Sequence, residues 1–180
     1  MRGRAKLITK EVEDYVAKNL SYSPETGEFR WLTNWGVRHS AGDLAGRLSD
    51  AGYLIISVNQ IPVKLHWIAW WISFGEWPDF IVDHKNTIKT DNRIENLRRA
   101  THSQNKMNSP AHKDSVSGIK GIHWRKDKRL WRATIMKDGQ KYYLGAYKDK
   151  MDAARAYDEA CIRLHGEFAR PNNIPSPVAT

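Results

Sequence analysis

The sequence predicts an α+β chain in two parts, a mixed α/β unit followed by a small three-stranded antiparallel sheet packed on one helix. Three observations lead there. Apolar spacing switches between helical and strand periods along residues 9–108. A stretch poor in large apolar residues, 109–117, interrupts the pattern. Beyond it come three strand-like runs and one alanine-rich helical run. The organisation expected is 1–110, a linker at 111–117, a second domain at 118–173 and a tail at 174–180.

In chain order, Thr9 is placed to cap a helix with Glu11, Glu13 and Asp14 in its first turn and Val12, Tyr15, Val16 and Leu20 as its stripe. Ser23 to Gly27 reads as a turn and Phe29 to Leu32 as a strand. Gly46 to Ser49 and Gly52 to Asn59 read as further strands. Lys64 to Phe74 is apolar on more than one side, as a buried helix is, and Gly75 to Pro78 ends it. Trp67, Trp70, Trp71 and Trp77 are expected in the core. Ile81 to His84 is a short strand, Leu97 to Thr101 another, and His102 to Asn108 a helix. In the second part, Gly121 to Arg125, Trp131 to Lys137 and Lys141 to Tyr147 are strands, with Asp138-Gly139 as a hairpin turn. Asp149 starts a helix that Gly166 stops near His165. A chain ending near Pro110 is expected to fold by itself.

Composition narrows the function. Lys and Arg number 29 against 20 Asp and Glu, a net charge of +9, and +6 of it lies in residues 111–180. Such a footprint favours a polyanionic partner, nucleic acid before membrane. One cysteine, Cys161, excludes an internal disulfide and a cysteine-based zinc finger. No apolar run approaches membrane-spanning length, and no apolar segment follows the basic start as in a secretion signal. A cytoplasmic location is expected.

The chemistry concentrates in Val82-Asp83-His84, Asp91 to Arg98, and Gln104 to Asn108. Asp, His and Asn in a basic chain suit metal-assisted phosphodiester hydrolysis, which needs a base for water and a hard cation on the phosphate. Imidazole titrates near neutrality, and carboxylate and amide oxygens suit Mg²⁺. Adjacent strand residues point to opposite faces, so Asp83 and His84 share a site only if the strand ends there, and the polar run from Lys85 supplies an end.

These motifs, with Pro24 to Trp31, Lys64 to Trp70 and Gly75 to Pro78, resemble the HNH nucleases over roughly residues 20–108. The form resembled is the ββα-metal finger of phage and intron homing endonucleases. The resemblance implies His84 as general base, Asp83 as metal ligand and Asn96 as the brace of the finger. It implies Asn105 as second metal ligand, with Asn108, on the same helical face, in reserve. One Mg²⁺ or Mn²⁺ per active site, double-stranded DNA and no small-molecule cofactor follow from it. His66 matches an upstream histidine of that family or is a core histidine. Arg93, Arg98 and Arg99 hold phosphates or form a solvated basic face.

In the last part, alternation puts Trp131, Ala133 and Ile135 towards the helix. Arg132, Thr134, Met136, His123, Arg125, Lys141 and Tyr143 fall on the open face. Lys120-Gly121-Ile122, Trp131 to Ile135, Tyr142 to Gly145, Ala153 to Asp158 and Leu164 to Gly166 resemble the plant ethylene-response-factor (APETALA-type) DNA-binding domain. The resemblance implies a sheet lying in the major groove, with His123, Arg125, Arg129, Arg132, Lys141 and Tyr143 as DNA contacts. His123, Thr134 and Met136 depart from its usual residues, so the plant target does not carry over. The expected function is a metal-dependent endonuclease of the homing type. The alternatives are a non-catalytic DNA-binding regulator and a phage nuclease of low specificity. Oligomeric state, and a nick against a double-strand break, stay open.

Overall fold

Apolar side chains of the first hundred residues meet in one core, to which the helix Leu65–Phe74 contributes four and the other elements one or two each. The computed structural model describes residues 2–34, 36–112 and 114–175. In chain order the elements are α1 (Arg2–Asn19), β1 (Leu20–Tyr22), β2 (Phe29–Trp31), β3 (Arg47–Leu48), β4 (Leu54–Val58) and β5 (Ile61–Lys64). After them come α2 (Leu65–Phe74), β6 (Ile81–His84), β7 (Leu97–Ala100) and α3 (His102–Met107). The chain continues with β8 (Ile122–Arg125), β9 (Leu130–Lys137), β10 (Gln140–Tyr147) and α4 (Lys150–His165). It divides into two compact units, Met1–Arg99 and Ala100–Thr180.

In the first unit β1 pairs with β2, β3-β4-β5 form an antiparallel sheet, and β6 pairs with β7. Val12 and Val16 of α1 and Leu20 of β1 join Phe29, Ile56, Val58, Val63, Leu65, Ile68, Ala69, Val82 and Leu97 in the core. Helix α2 starts directly from β5, and Gly75, at φ 73°, closes it by donating its N–H to Trp71 O.

Three expectations are corrected here. Helix α1 begins at Arg2, so Thr9 lies inside it, because no proline or glycine interrupts residues 4–20. Residues 61–64 form β5, where no strand is expected and Lys64 is expected in the helix. Helix α2 is buried on one side only, so Trp67 is 37% exposed while Trp70 is buried. Trp71 and Trp77 stack at 5.4 Å at the core margin.

In the second unit the strand order is β10-β9-β8, antiparallel throughout. Helix α4 packs on this sheet. Ala133 and Ile135 of β9 meet Ala153, Tyr157, Ala160 and Cys161, and Trp131 packs at the edge of this core. Asp138 and Gly139 both have positive φ, as the β9–β10 turn needs. Asp149 caps α4 by accepting from the N–H groups of Met151 and Asp152. At Gly121, φ 77°, an added Cβ would lie 2.2 Å from the Tyr157 ring. Gly121→Ala therefore meets both a strained backbone and a buried ring, and should lower stability by about 2–3 kcal/mol in chemical denaturation.

Thr134 is 7% exposed, a correction to the open face expected of it. Helix α3 packs on β9, and residues 102–112 flank that side of the sheet. The division between units also falls at Arg99/Ala100, ahead of the linker expected at 111–117. The reason is a clamp on the end of α3. Lys120 Nζ donates to the carbonyls of Met107 and Ser109. Arg170 donates to the carbonyl of Asn108 at 3.3 Å. A chain cut at Pro110 would leave these three carbonyls without their cations, and urea unfolding of that piece beside the full chain tests whether it folds by itself. Of the tail expected at 174–180, residues 176–180 lie outside the described residues. No helix among the described residues is long and apolar enough to cross a membrane.

Candidate active site

Strand β6 delivers Asp83 and His84 as its last two residues, 5% and 4% exposed. The strand ends there. Lys85 N–H donates to Asn96 O at 2.9 Å, and Thr87, at φ 66°, turns back with its N–H on His84 O. Across the pair, Arg98 of β7 grips Asp83, with Nε and Nη2 each 2.8 Å from Oδ2. Both side chains are nearly inaccessible, so this is a buried ion pair with two charge-assisted hydrogen bonds.

The loop from Lys85 to Asn96 is tied together by amides. Asn96 Oδ1 accepts from Asn86 N–H at 3.0 Å, and its Nδ2 donates to Asp91 O at 2.8 Å. One side chain thus spans the loop. Asn92 is 1% exposed, and its Oδ1 lies 3.3 Å from His84 Nε2.

A distant turn sets the backbone of Asn92. Tyr22 Oη donates to Asn92 O at 2.8 Å, and Ile94 N–H donates to Pro24 O at 3.1 Å. Gly27 presses so closely that a Cβ would stand 2.3 Å from Arg93 N. The Ser23–Gly27 turn is therefore a mould for the loop that carries Asn92.

Burial pushes the His84 imidazole below its ordinary basicity, against the pull of Asn92, Asp83 and Asp91. It is neutral at pH 7, the form that takes up a proton. His66 lies beneath it, ring edge to ring face at 5.0 Å. Burial, helped by His84 and Lys64, pushes His66 down to about 3, and its buried Nδ1 has no hydrogen-bond partner.

All three arginines weighed as phosphate contacts in this segment have acid partners, Arg99 reaching Asp79 at 3.5 Å. Arg98 is held by Asp83, as above. Arg93 donates through Nε and Nη2 to Asp91 at 2.9 and 2.7 Å, and through Nη1 to Glu95 at 3.0 Å. Those hydrogen bonds hold the Asp91 carboxyl down to about 2. Arg99 lies over the Phe80 ring at 3.9 Å.

Asn105 sits half-buried on α3, whose first turn is fixed by a reciprocal Thr101–Gln104 capping box. That helix belongs to the second unit by its packing. Asn108 is the buried C-cap of the same helix, which leaves Asn105 as the more accessible of the two amides.

Among the described residues no three His, Cys, Asp or Glu side chains form a metal-holding group. The donors in question are one carboxylate and one amide oxygen, a set that suits Mg²⁺ or Mn²⁺ retaining most of its waters and not a caged zinc.

On the sheet of the second unit, His123 pairs with Arg132 in register, Thr134 with Tyr143, and Met136 with Lys141. Burial and the charges of Arg132 and Lys141 lower His123 basicity. Arg132 has a buried Nε with no partner, whereas Arg125 is held by Asp127 at 2.9 and 2.7 Å. Tyr143 is 65% exposed. Arg129 lies in the turn before β9 with φ 51°.

Sequence reasoning missed Asn92, since asparagines abound in this loop and only the three-dimensional contact to His84 marks this one out.

Residues 63–107 match the HNH endonuclease family, a span that holds Asp83, His84, Asn96 and Asn105. The chain is 28% identical over 108 residues to Protein 3.8 of Escherichia phage T7, covering 59% of this chain and 88% of that protein. It is 33% identical over 129 residues to an uncharacterized HNH endonuclease of Acanthamoeba polyphaga mimivirus, covering 71% of this chain and 66% of that one. It is 32% identical over 99 residues to an AP2-like ethylene-responsive transcription factor of Arabidopsis thaliana, covering 48% of this chain and 33% of the plant protein. The chain thus carries an HNH endonuclease domain.

Proposed function

We propose that the chain is a metal-dependent DNA endonuclease of the homing type, with a ββα-metal active site and a C-terminal DNA-binding unit of ethylene-response-factor type. The observation that supports it most is the buried knot of Asp83, His84, Asn92 and Asn96, within the span matched by the nuclease family. A fold needing only stability has little use for a buried neutral imidazole whose Nε2 meets an amide oxygen.

The residues divide the work. His84 donates Nε2–H to Asn92 Oδ1, so its basic lone pair is on Nδ1. His84 takes a proton from water as the water oxygen bonds to phosphorus and the bond to the bridging oxygen breaks. Asn92 accepts from the imidazolium that results. Asn96 keeps the loop closed, and Arg98 holds the Asp83 carboxylate in one orientation. Asp83 and Asn105 would hold the ion, Mg²⁺ or Mn²⁺. When bound, that ion supplies positive charge for the phosphate and the leaving oxygen. His123, Arg132, Lys141 and Tyr143 would meet DNA from the sheet, with Arg125 and Arg129 at its margin. Arg93 would hold a phosphate beside the active site. A cytoplasmic location in a bacterial host fits the phage relative.

A regulator without catalysis is the second reading, favoured by the likeness to a plant transcription factor. It gives the buried knot no task. Incubating supercoiled plasmid with the protein and Mg²⁺ separates the two. Cleavage that EDTA stops and Mg²⁺ restores supports the nuclease, and intact plasmid at saturating protein supports the regulator.

The histidines also set a pH dependence. A histidine whose folded pKa is depressed stabilises the fold fully above its unfolded pKa, near 6.5, and loses that stabilisation as pH falls towards the folded value. For His66 the window runs from about 6.5 down to about 3. Thermal unfolding between those limits should show the melting temperature falling with pH, and His66→Phe should flatten the slope. An unchanged slope in that variant would remove His66 from the account.

A further inference from the structure

Beside His84, three side chains have no part in the chemistry so far: Tyr53, Lys64 and Lys89. The Tyr53 ring lies 6.0 Å from the His84 ring and 5.0 Å from that of His66. Lys64, at the end of β5, places Nζ 4.7 Å from the centroid of Tyr53 and 4.8 Å from that of Trp67. Lys89, from the loop after β6, places Nζ 4.8 Å from the same Tyr53 ring and donates to Ala51 O at 2.8 Å. Two separate segments thus bring two ammonium groups to one aromatic ring. Among the described residues no carboxylate forms an ion pair with either.

Like charges gathered on one ring repel, and each cation–π contact offsets only part of that. The Lys64 ammonium is driven below its ordinary basicity by burial and by the charge of Lys89. Lys64 is also the N-cap of α2, whose first turn holds no acid and no side-chain cap, so the positive end of the helix adds to the same field. Stability alone would favour a carboxylate here. A bound polyanion relieves the repulsion instead, and the place where it would sit borders the imidazole assigned as base.

We propose that Lys64 and Lys89, stacked on Tyr53, form a phosphate-binding subsite that holds the DNA backbone next to the phosphodiester on which His84 acts. This rests on the nuclease reading above, but its test does not need cleavage. Full-length protein is titrated with a fluorescent DNA duplex in EDTA over a range of salt. Each neutralised phosphate contributes about 0.9 to the slope of log affinity against log salt. Lys64→Met and Lys89→Met should each flatten the slope by about that much and weaken binding several-fold. The double variant should do about twice as much, and Lys64→Arg with Lys89→Arg should keep the slope. Methionine preserves the apolar stem on Tyr53. If Lys64→Met lowers the melting temperature, the exposed Lys89→Met carries the test. In Mg²⁺ the double variant should raise KM while kcat stays within a few-fold. A double variant with unchanged slope overturns the subsite whatever its cleavage. His84→Ala should keep the wild-type slope and lose cleavage, so a His84→Ala protein that still cuts overturns the nuclease reading separately.

Discussion

Arg98→Met should destabilise the first unit by about 3–5 kcal/mol, the largest single-site effect on stability that we expect. The guanidinium and the Asp83 carboxylate are both almost wholly out of water, joined by two contacts of 2.8 Å to one oxygen. Removing the cation leaves a buried carboxylate without the charge that offsets its desolvation, a larger penalty than the net worth of the pair. Converting Asp83 as well, to Asn, should recover part of the loss, because a neutral amide tolerates the site better than an unpaired charge. Urea denaturation of wild type, Arg98→Met and the double variant measures this. Equal midpoints for the first two would show that the pair does not hold β6 against β7.

The largest effect on rate is expected at His84. Loss of a positioned general base costs about 10²–10⁴-fold, so His84→Ala should cut at least 10²-fold more slowly than wild type at equal DNA affinity. Asn92→Leu should retain the base but lose its acceptor for Nε2–H, with a smaller loss in kcat and little change in KM. Should Asn92→Leu cut at the wild-type rate, the hydrogen bond to His84 has no catalytic part.

Much of this arrangement is readable from residue order. The alternation in Trp131 to Met136 separates the face that meets α4 from the other, because strand geometry leaves two directions only. Asp138-Gly139 and Asp149 mark a turn and a cap through local chemistry that few other residues supply. The Asp83-His84 pair reads as a site only together with Asn96-Leu97-Arg98 and the flanking motifs, because an isolated Asp-His pair is as well explained by a surface turn.

What stays hidden depends on contacts far apart in the chain. Gly27 looks like an ordinary turn glycine, and its closeness to Arg93 appears only in the folded state. Thr134 is assigned to an open face by alternation, yet residues 102–112 flank it, which no strand pattern encodes. The boundary at Arg99 was obscured because 109–117 has a linker's composition while Lys120 and Arg170 fasten the residues before it. Strand β5 is not legible in the sequence because it is four residues long and holds Pro62, which argues against a strand except at a sheet edge, where β5 lies.

The most direct measurement is single-turnover cleavage of supercoiled plasmid by wild type and by folded His84→Ala, each with Mg²⁺ and with EDTA. The account predicts nicked or linear product from wild type with Mg²⁺, none with EDTA, and at least about 10²-fold slower product formation by His84→Ala with Mg²⁺. Cleavage by His84→Ala at the wild-type rate, or full cleavage in EDTA, would contradict it.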